Sequence, residues 1–211
     1  MAGDLVPTGE PGRYYNEAAG KVQEFVEVRE GDFWDTVEQV SGAITAGTEL
    51  KLFQTQTDKN LHHTNLDDTR RIPARNRFEM TRVGIHVRQL VGNTLTTAAD
   101  ILKVYEAGSL EFDLNKRRIA EGSLLFYQSG LGVQGAGNTE NNFPVATNGI
   151  PVLTGAPVLR KIQPVNDKDG LNASVFFKNN VWITTGNMAT LAGDALIMAV
   201  LHGDIEKPQG T

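Results

Sequence analysis

The chain has no cysteine. That excludes disulfides, thiolate zinc sites, iron–sulfur clusters and cysteine nucleophiles together, and leaves the redox compartment unread. Aromatic residues are sparse, at 7% of 211 positions. No apolar run approaches the roughly 18 residues that a membrane-spanning helix needs. Residues 1–15 carry Asp4, Glu10, Pro7 and Pro11 and no apolar stretch of signal-peptide length. These absences predict a soluble, unprocessed chain made in a cytoplasm. Positive charge is also in deficit: Lys+Arg number 20 against 25 Asp+Glu, a formal net charge of -5. That balance argues against a protein that coats nucleic acid through its net charge.

Apolar residues make up 40% of the sequence, which argues against wholesale disorder. The length suits one large domain or two small ones. Its 22 glycines and 8 prolines are spread along the whole chain rather than gathered in one linker. Turn residues recurring between short apolar runs suggest many short strands. Residues 1–20 read as a loose arm. Val22, Phe25, Val26 and Val28 form an apolar segment of ambiguous type. Leu50 and Leu52 alternate with Glu49 and Lys51, the pattern of a half-buried strand, and residues 55–76 form a long polar excursion.

The clearest strand is Phe78–Val87. Phe78 and Met80 share one phase and Val83, Ile85 and Val87 the other, so the phase slips near Thr81–Arg82 as at a β-bulge. A helix is expected over Thr96–Glu106, capped by Thr96 or Thr97, with Ile101, Leu102 and Tyr105 on one face and a left-handed Gly108 at its end. Leu110, Phe112 and Leu114 alternate as a strand, Asn115–Lys116 turns, and Ile119–Tyr127 returns. The Gly- and Asn-rich residues 128–151 read as a surface loop. Apolar runs follow at Val158–Ile162, Ala173–Ile183 and Ala195–Leu201, and the last is apolar on both phases, as a strand buried on both faces would be. The sum is a mainly β chain with one helix, in an antiparallel sandwich or barrel.

Motifs of chemistry are weak. Gly130, Gly132 and Gly135 spell G-x-G-x-x-G, but no helix pattern follows to bind a pyrophosphate. His62 and His63 lie near Asp58, Asp67 and Asp68, yet adjacent residues of an extended chain point to opposite sides and seldom share an ion. Asp167 and Asp169 sit in NDKDG, which has turn composition and lacks the other oxygen ligands of a calcium loop. Ser129 has no nucleophile-elbow context. His86 and His202 are the histidines placed on strands. No catalytic residue, metal ligand or cofactor is therefore expected.

Charge is patterned more clearly. Arg70, Arg71, Arg75, Arg77, Arg82 and Arg88 crowd one stretch, opposed within it by Glu79 alone. The acidic excess lies at the start, in Asp4, Glu10, Glu17, Glu24, Glu27 and Glu30. An acidic arm and a basic strand edge on one chain suit contact between subunits as well as they suit a solvated face. The expected interface residues are Arg70, Arg71, Arg75, Arg77, Glu24, Glu27 and Glu30.

The order TAGTELKLFQTQ, HTNLDD, IPARNRFEMTRVGIHV resembles the start of the jelly-roll barrel in capsid proteins of bacterial viruses, through Leu50–Phe53, Thr64–Asn65, Pro73 and Phe78. ADILKVYEAGSLEFDLNKRRIAEGSLLF is similar to that group's short helix, strand and turn, PVLRKIQPVNDKDGLNASVFF to a later strand pair, and ALIMAVLHGDIEKPQ to its closing strand and tail, with Leu201-x-Gly203 and Pro208-Gln209. The resemblance spans about residues 44–209. It implies an N-terminal arm over 1–30 and a single jelly-roll domain over 31–211. It further implies a non-enzymatic virion structural protein, assembled in a host cytoplasm, whose partners are copies of itself and other virion proteins, with no sequence-specific nucleic acid and no transmembrane segment. A jelly-roll binding module for carbohydrate or a host surface, at a virion vertex, is the alternative. A cupin-type metal enzyme, relying on His86 and His202, ranks last.

Overall fold

A computed structural model describes residues 5–7, 13–16, 20–54, 59–60, 63–66, 69–74, 76–89, 98–128, 157–177 and 187–208. The strands are β1 (Leu5–Pro7), β2 (Arg13–Asn16), β3 (Lys21–Gln39), β4 (Gly42–Thr45), β5 (Glu49–Leu52) and β6 (Arg77–Gln89). Helix α1 (Ala98–Ala107) follows, then β7 (Ser109–Leu114), β8 (Arg117–Ser123) and a 3-10 turn over Leu124–Tyr127. The chain closes with β9 (Val158–Asn166), β10 (Leu171–Phe176), β11 (Asn187–Leu191) and β12 (Ala195–Pro208). The protein is mainly β, and every paired strand is antiparallel.

Six strands form one open sheet in the order β1-β2-β3-β12-β6-β9, four form a second in the order β5-β10-β7-β8, and β11 pairs β4. Eight of these strands pair in a nested way. The outermost, β3, pairs the last, β12. Inside that, β5 pairs β10, β6 pairs β9, and β7 pairs β8. The tip of this nested ribbon is the Asn115–Lys116 turn, where both residues have positive φ, 51° and 67°. Such a pair matches the right-handed twist of the strands it joins.

Alternation within each strand builds the core. Phe78, Met80, Val83, Ile85 and Val87 of β6, with Ile197, Ala199, Leu201 and Ile205 of β12, meet Leu110 and Phe112 of β7 and Leu171, Ala173 and Val175 of β10. Phe33 packs edge-on to Phe78 at 5.0 Å, and Phe53 to Phe112 at 6.4 Å. Each buried side chain of this size contributes about 1.5–3 kcal/mol. The phase slip at Thr81–Arg82 is a bulge: Met80 opposes Gly203 and Arg82 opposes His202, which leaves Thr81 as the extra residue. It keeps Phe78 and Met80 on the same face as Val83, Ile85 and Val87.

Several expectations need correction. Leu102 points outward at 39% exposure, and the buried helix face is Ile101, Val104 and Tyr105. Gly108 does end α1, its N–H bonding Val104 O at 2.9 Å. Its φ is not positive; a Cβ there would collide with Leu124 Cδ1, so close packing is what requires glycine. The return strand stops at Ser123, whose hydroxyl caps the 3-10 turn. In the apolar run Val158–Ile162, both end residues are exposed. β3 runs through residue 30, and β1, β2 and β3 are hydrogen-bonded neighbours in the six-stranded sheet. Thr96, Thr97, the 130–135 glycines and Ser129 lie outside the described residues.

Candidate functional site

Lys59, Thr64 and Asn65 of the polar excursion after β5 lie against β3. Phe53 and Arg70 stand at the excursion's neck, both with positive φ (62° and 63°), and Arg70 N–H donates to Phe53 O at 2.7 Å. Arg70 O in turn accepts from Leu171 N–H at 2.8 Å. Two non-glycine residues in that region are costly, and the surrounding hydrogen bonds hold them there. Further along, Asn65 imitates a strand: its Oδ1 accepts from Trp34 N–H at 2.8 Å and its Nδ2 donates to Asp32 O at 2.7 Å. Thr64 Oγ1 donates to Trp34 O at 3.0 Å. Lys59 Nζ grips both carboxylate oxygens of the fully buried Asp35, at 2.7 and 2.8 Å, and Asp35 also accepts from Phe53 N–H at 2.5 Å. The Thr64–Asn65 pair singled out in the sequence therefore covers a strand edge that is otherwise open to pairing with another chain.

The face of the six-stranded sheet turned away from the core is the second feature. Directly paired residues share a face, so three rows can be read across β3, β12 and β6. One is Asp32, His202, Arg82; the next Glu30, Asp204, Glu79; the third Glu206, Arg77. In the first row His202 Nδ1 lies 2.8 Å from Asp32 Oδ1, while its Nε2 is buried without a hydrogen-bond partner. In the third, buried Arg77 bonds Glu206 at 2.7 Å and also reaches Glu79 at 3.0 Å. The middle row is three carboxylates abreast, and that arginine ties one of them, Glu79, to Glu206 of the third. Toward the other end of the same face lie Leu196, Met198 and Val200, all buried though outside the main core cluster, and His86 opposite Met198. Burial denies the His86 imidazolium its water and Arg88 repels it, which lowers its pKa to about 4.

The residues nominated from sequence fall in different places. Arg70 and Arg71 are exposed at the loop neck, with Arg70 Nη2 donating to Gln54 Oε1 at 3.1 Å. Arg77 is only 6% exposed and is paired within its own sheet. Arg75 lies outside the described residues. Glu30 is exposed and faces Asp204, not an arginine. Glu24 opposes Arg13 and Glu27 opposes Lys207 in backbone register; their side chains lie outside the described residues.

Of the other motifs, NDKDG is a turn: Asp169 accepts from Asn166 N–H at 2.7 Å and from Asn115 Nδ2 at 2.6 Å. His62, Asp58, Asp67 and Asp68 lie outside the described residues, and among those described no group of three or more His or carboxylate side chains is placed to hold a metal. His86 and His202 lie on the outer face of the sheet, four positions apart in register. No described helix is long and apolar enough to cross a membrane. Sequence reasoning missed the Asp35–Lys59 clamp. Its one signal is an aspartate on the core-facing phase between Phe33 and Val37. Compared with known proteins, the chain matches no family model, no curated protein and no solved structure.

Proposed function

We propose that the chain is a virion structural protein, a jelly-roll capsid subunit that self-assembles into an icosahedral shell. The observation that carries this reading is the nested pairing of eight strands: β3 with β12, β5 with β10, β6 with β9, β7 with β8. Rolling such a ribbon puts the first, last, third and sixth strands in one sheet and the second, seventh, fourth and fifth in the other. That is the strand order of a jelly roll, and the runs β3-β12-β6-β9 and β5-β10-β7-β8 within the two larger, open sheets support the reading. The sequence resemblance to capsid proteins of bacterial viruses points the same way. A shell subunit works through its exterior, and the covered β3 edge and the charged outer face of the six-stranded sheet suit that task. On this reading the partners are copies of the chain and other virion proteins, the protein is not an enzyme, and it resides in the virion. Sedimentation velocity at rising protein concentration tests it. Rings, trimers or particles are expected, and a strict monomer that binds glycans favours the vertex-module alternative instead.

A further inference from the structure

Among the described residues six large apolar side chains stand exposed: Val40, Leu102, Leu125, Phe126, Val158 and Ile162. Five of them lie on two parts of the fold that differ in charge: the 3-10 turn with the helix it packs on, and β9. The first lies where the 3-10 turn packs on α1. Phe126 is 75% exposed and Leu125 43%, with Leu102 on the helix. The turn beneath them is rigid. Leu124 is buried against Gly108, Ser123 Oγ accepts from Leu125 N–H at 3.3 Å, and the Tyr127 hydroxyl donates to Glu121 O at 3.0 Å. Exposed Glu106 follows Leu102 by one helical turn, and exposed Glu121 lies beside the 3-10 turn. Arg118 bonds three carboxylates, Glu111, Asp113 and Glu121, and Lys103, next to Leu102, bonds Asp100, so carboxylates outnumber these cations.

The second patch is on β9, the end strand of the six-stranded sheet. Val158 and Ile162 are 65% and 51% exposed there, and exposed Arg160 and Lys161 lie between them. Arg82 opposes Val158 in register and adds to the positive charge. Pro164, which has no N–H, sits further along β9 and blunts its free edge, so side-chain docking is favoured over addition of a strand.

We propose that these two patches bind each other between copies of the chain, the Phe126–Leu125–Leu102 prong of one subunit seating on Val158 and Ile162 of the next, with Glu106 and Glu121 facing Arg160 and Lys161. A rigid exposed aromatic ringed by charge is the composition of an interface anchor. The two patches differ, so the contact is head-to-tail and generates a ring where the rotation closes. It rests on the self-assembly reading and names the contact that reading requires.

The test is a charge swap read by sedimentation velocity on the full chain. Arg160→Glu with Lys161→Glu should raise the concentration needed for assembly about ten-fold, and Phe126→Ser about 30-fold. All these side chains are exposed, so thermal melts of the variants should match the parent. Adding Glu106→Lys and Glu121→Lys to the first variant reverses both patches, and assembly should return to within about three-fold of the parent. Assembly that proceeds unchanged in the Arg160/Lys161 and Phe126 variants overturns this contact and leaves the shell reading standing. A parent chain that stays monomeric under every condition overturns both.

Discussion

His86 ties a single side chain to the stability of the sheet. Its folded pKa is lowered to about 4 from an ordinary 6.5. Above about pH 6.5 the imidazole is neutral in both states and its full contribution is present. As pH falls, the unfolded chain takes up a proton that the folded chain refuses, so stability declines between those two values. The loss at pH 5 relative to pH 7 is about 2 kcal/mol. Urea unfolding of the parent and of His86→Gln at the two pH values measures it, and the variant should lose most of that difference; an equal slope in both would assign the effect elsewhere. Gly203 is the second sensitive position. A Cβ there would run into the carbonyl oxygen of Glu79 across the bulge and into Phe78. Gly203→Ala should therefore cost about 3 kcal/mol or more, read as a fall in the unfolding midpoint. The sequence shows the glycine, but not that another strand's backbone lies against it.

Elements were legible where periodicity was strong. The bulge at Thr81 is readable because two apolar phases collide within one strand, and β12 because ALIMAVL is apolar on both phases. The turn at Asn115–Lys116 is readable from its residue types. The error at Leu102 has a simple cause: its i+1 relation to Ile101 swings it away from the stripe that Val104 and Tyr105 continue. Pairings between distant segments left almost no local trace. Asn65 reaches Trp34 and Asp32, and Tyr105 takes the place of a neighbouring strand by donating to Ile85 O at 2.9 Å and accepting from Val87 N–H at 3.2 Å. Asn65→Ala strips two hydrogen bonds from the β3 edge and should cost about 1–3 kcal/mol. Hydrogen exchange at the Trp34 amide should quicken while the amides of β7 and β10 keep their protection. Unchanged exchange at Trp34 would mean that the loop is not what shields that edge.

At the scale of the whole molecule, sequence pattern gave the mainly β class but not the order of strands. That order emerges only when the first and last long strands meet at the centre of a sheet, with β3 and β6 flanking β12. Arg70 and Arg77 came apart for the same reason. Clustering along the chain put Arg77 beside Arg70, whereas the fold buries Arg77 against Glu206 and leaves Arg70 exposed at a loop neck. Charge runs in sequence mark surfaces only once the register is known. The exposed apolar patches on the 3-10 turn and β9 were equally hidden, because an isolated Phe or Ile reads as core until its phase is fixed.

The proposal of a self-assembling shell subunit is met most directly by electron microscopy of the purified chain in negative stain, across a range of salt and protein concentration. Closed particles or regular rings of repeated subunits are the outcome the account predicts. Fields of single, unassociated molecules under every condition, from a sample that remains folded, would contradict it.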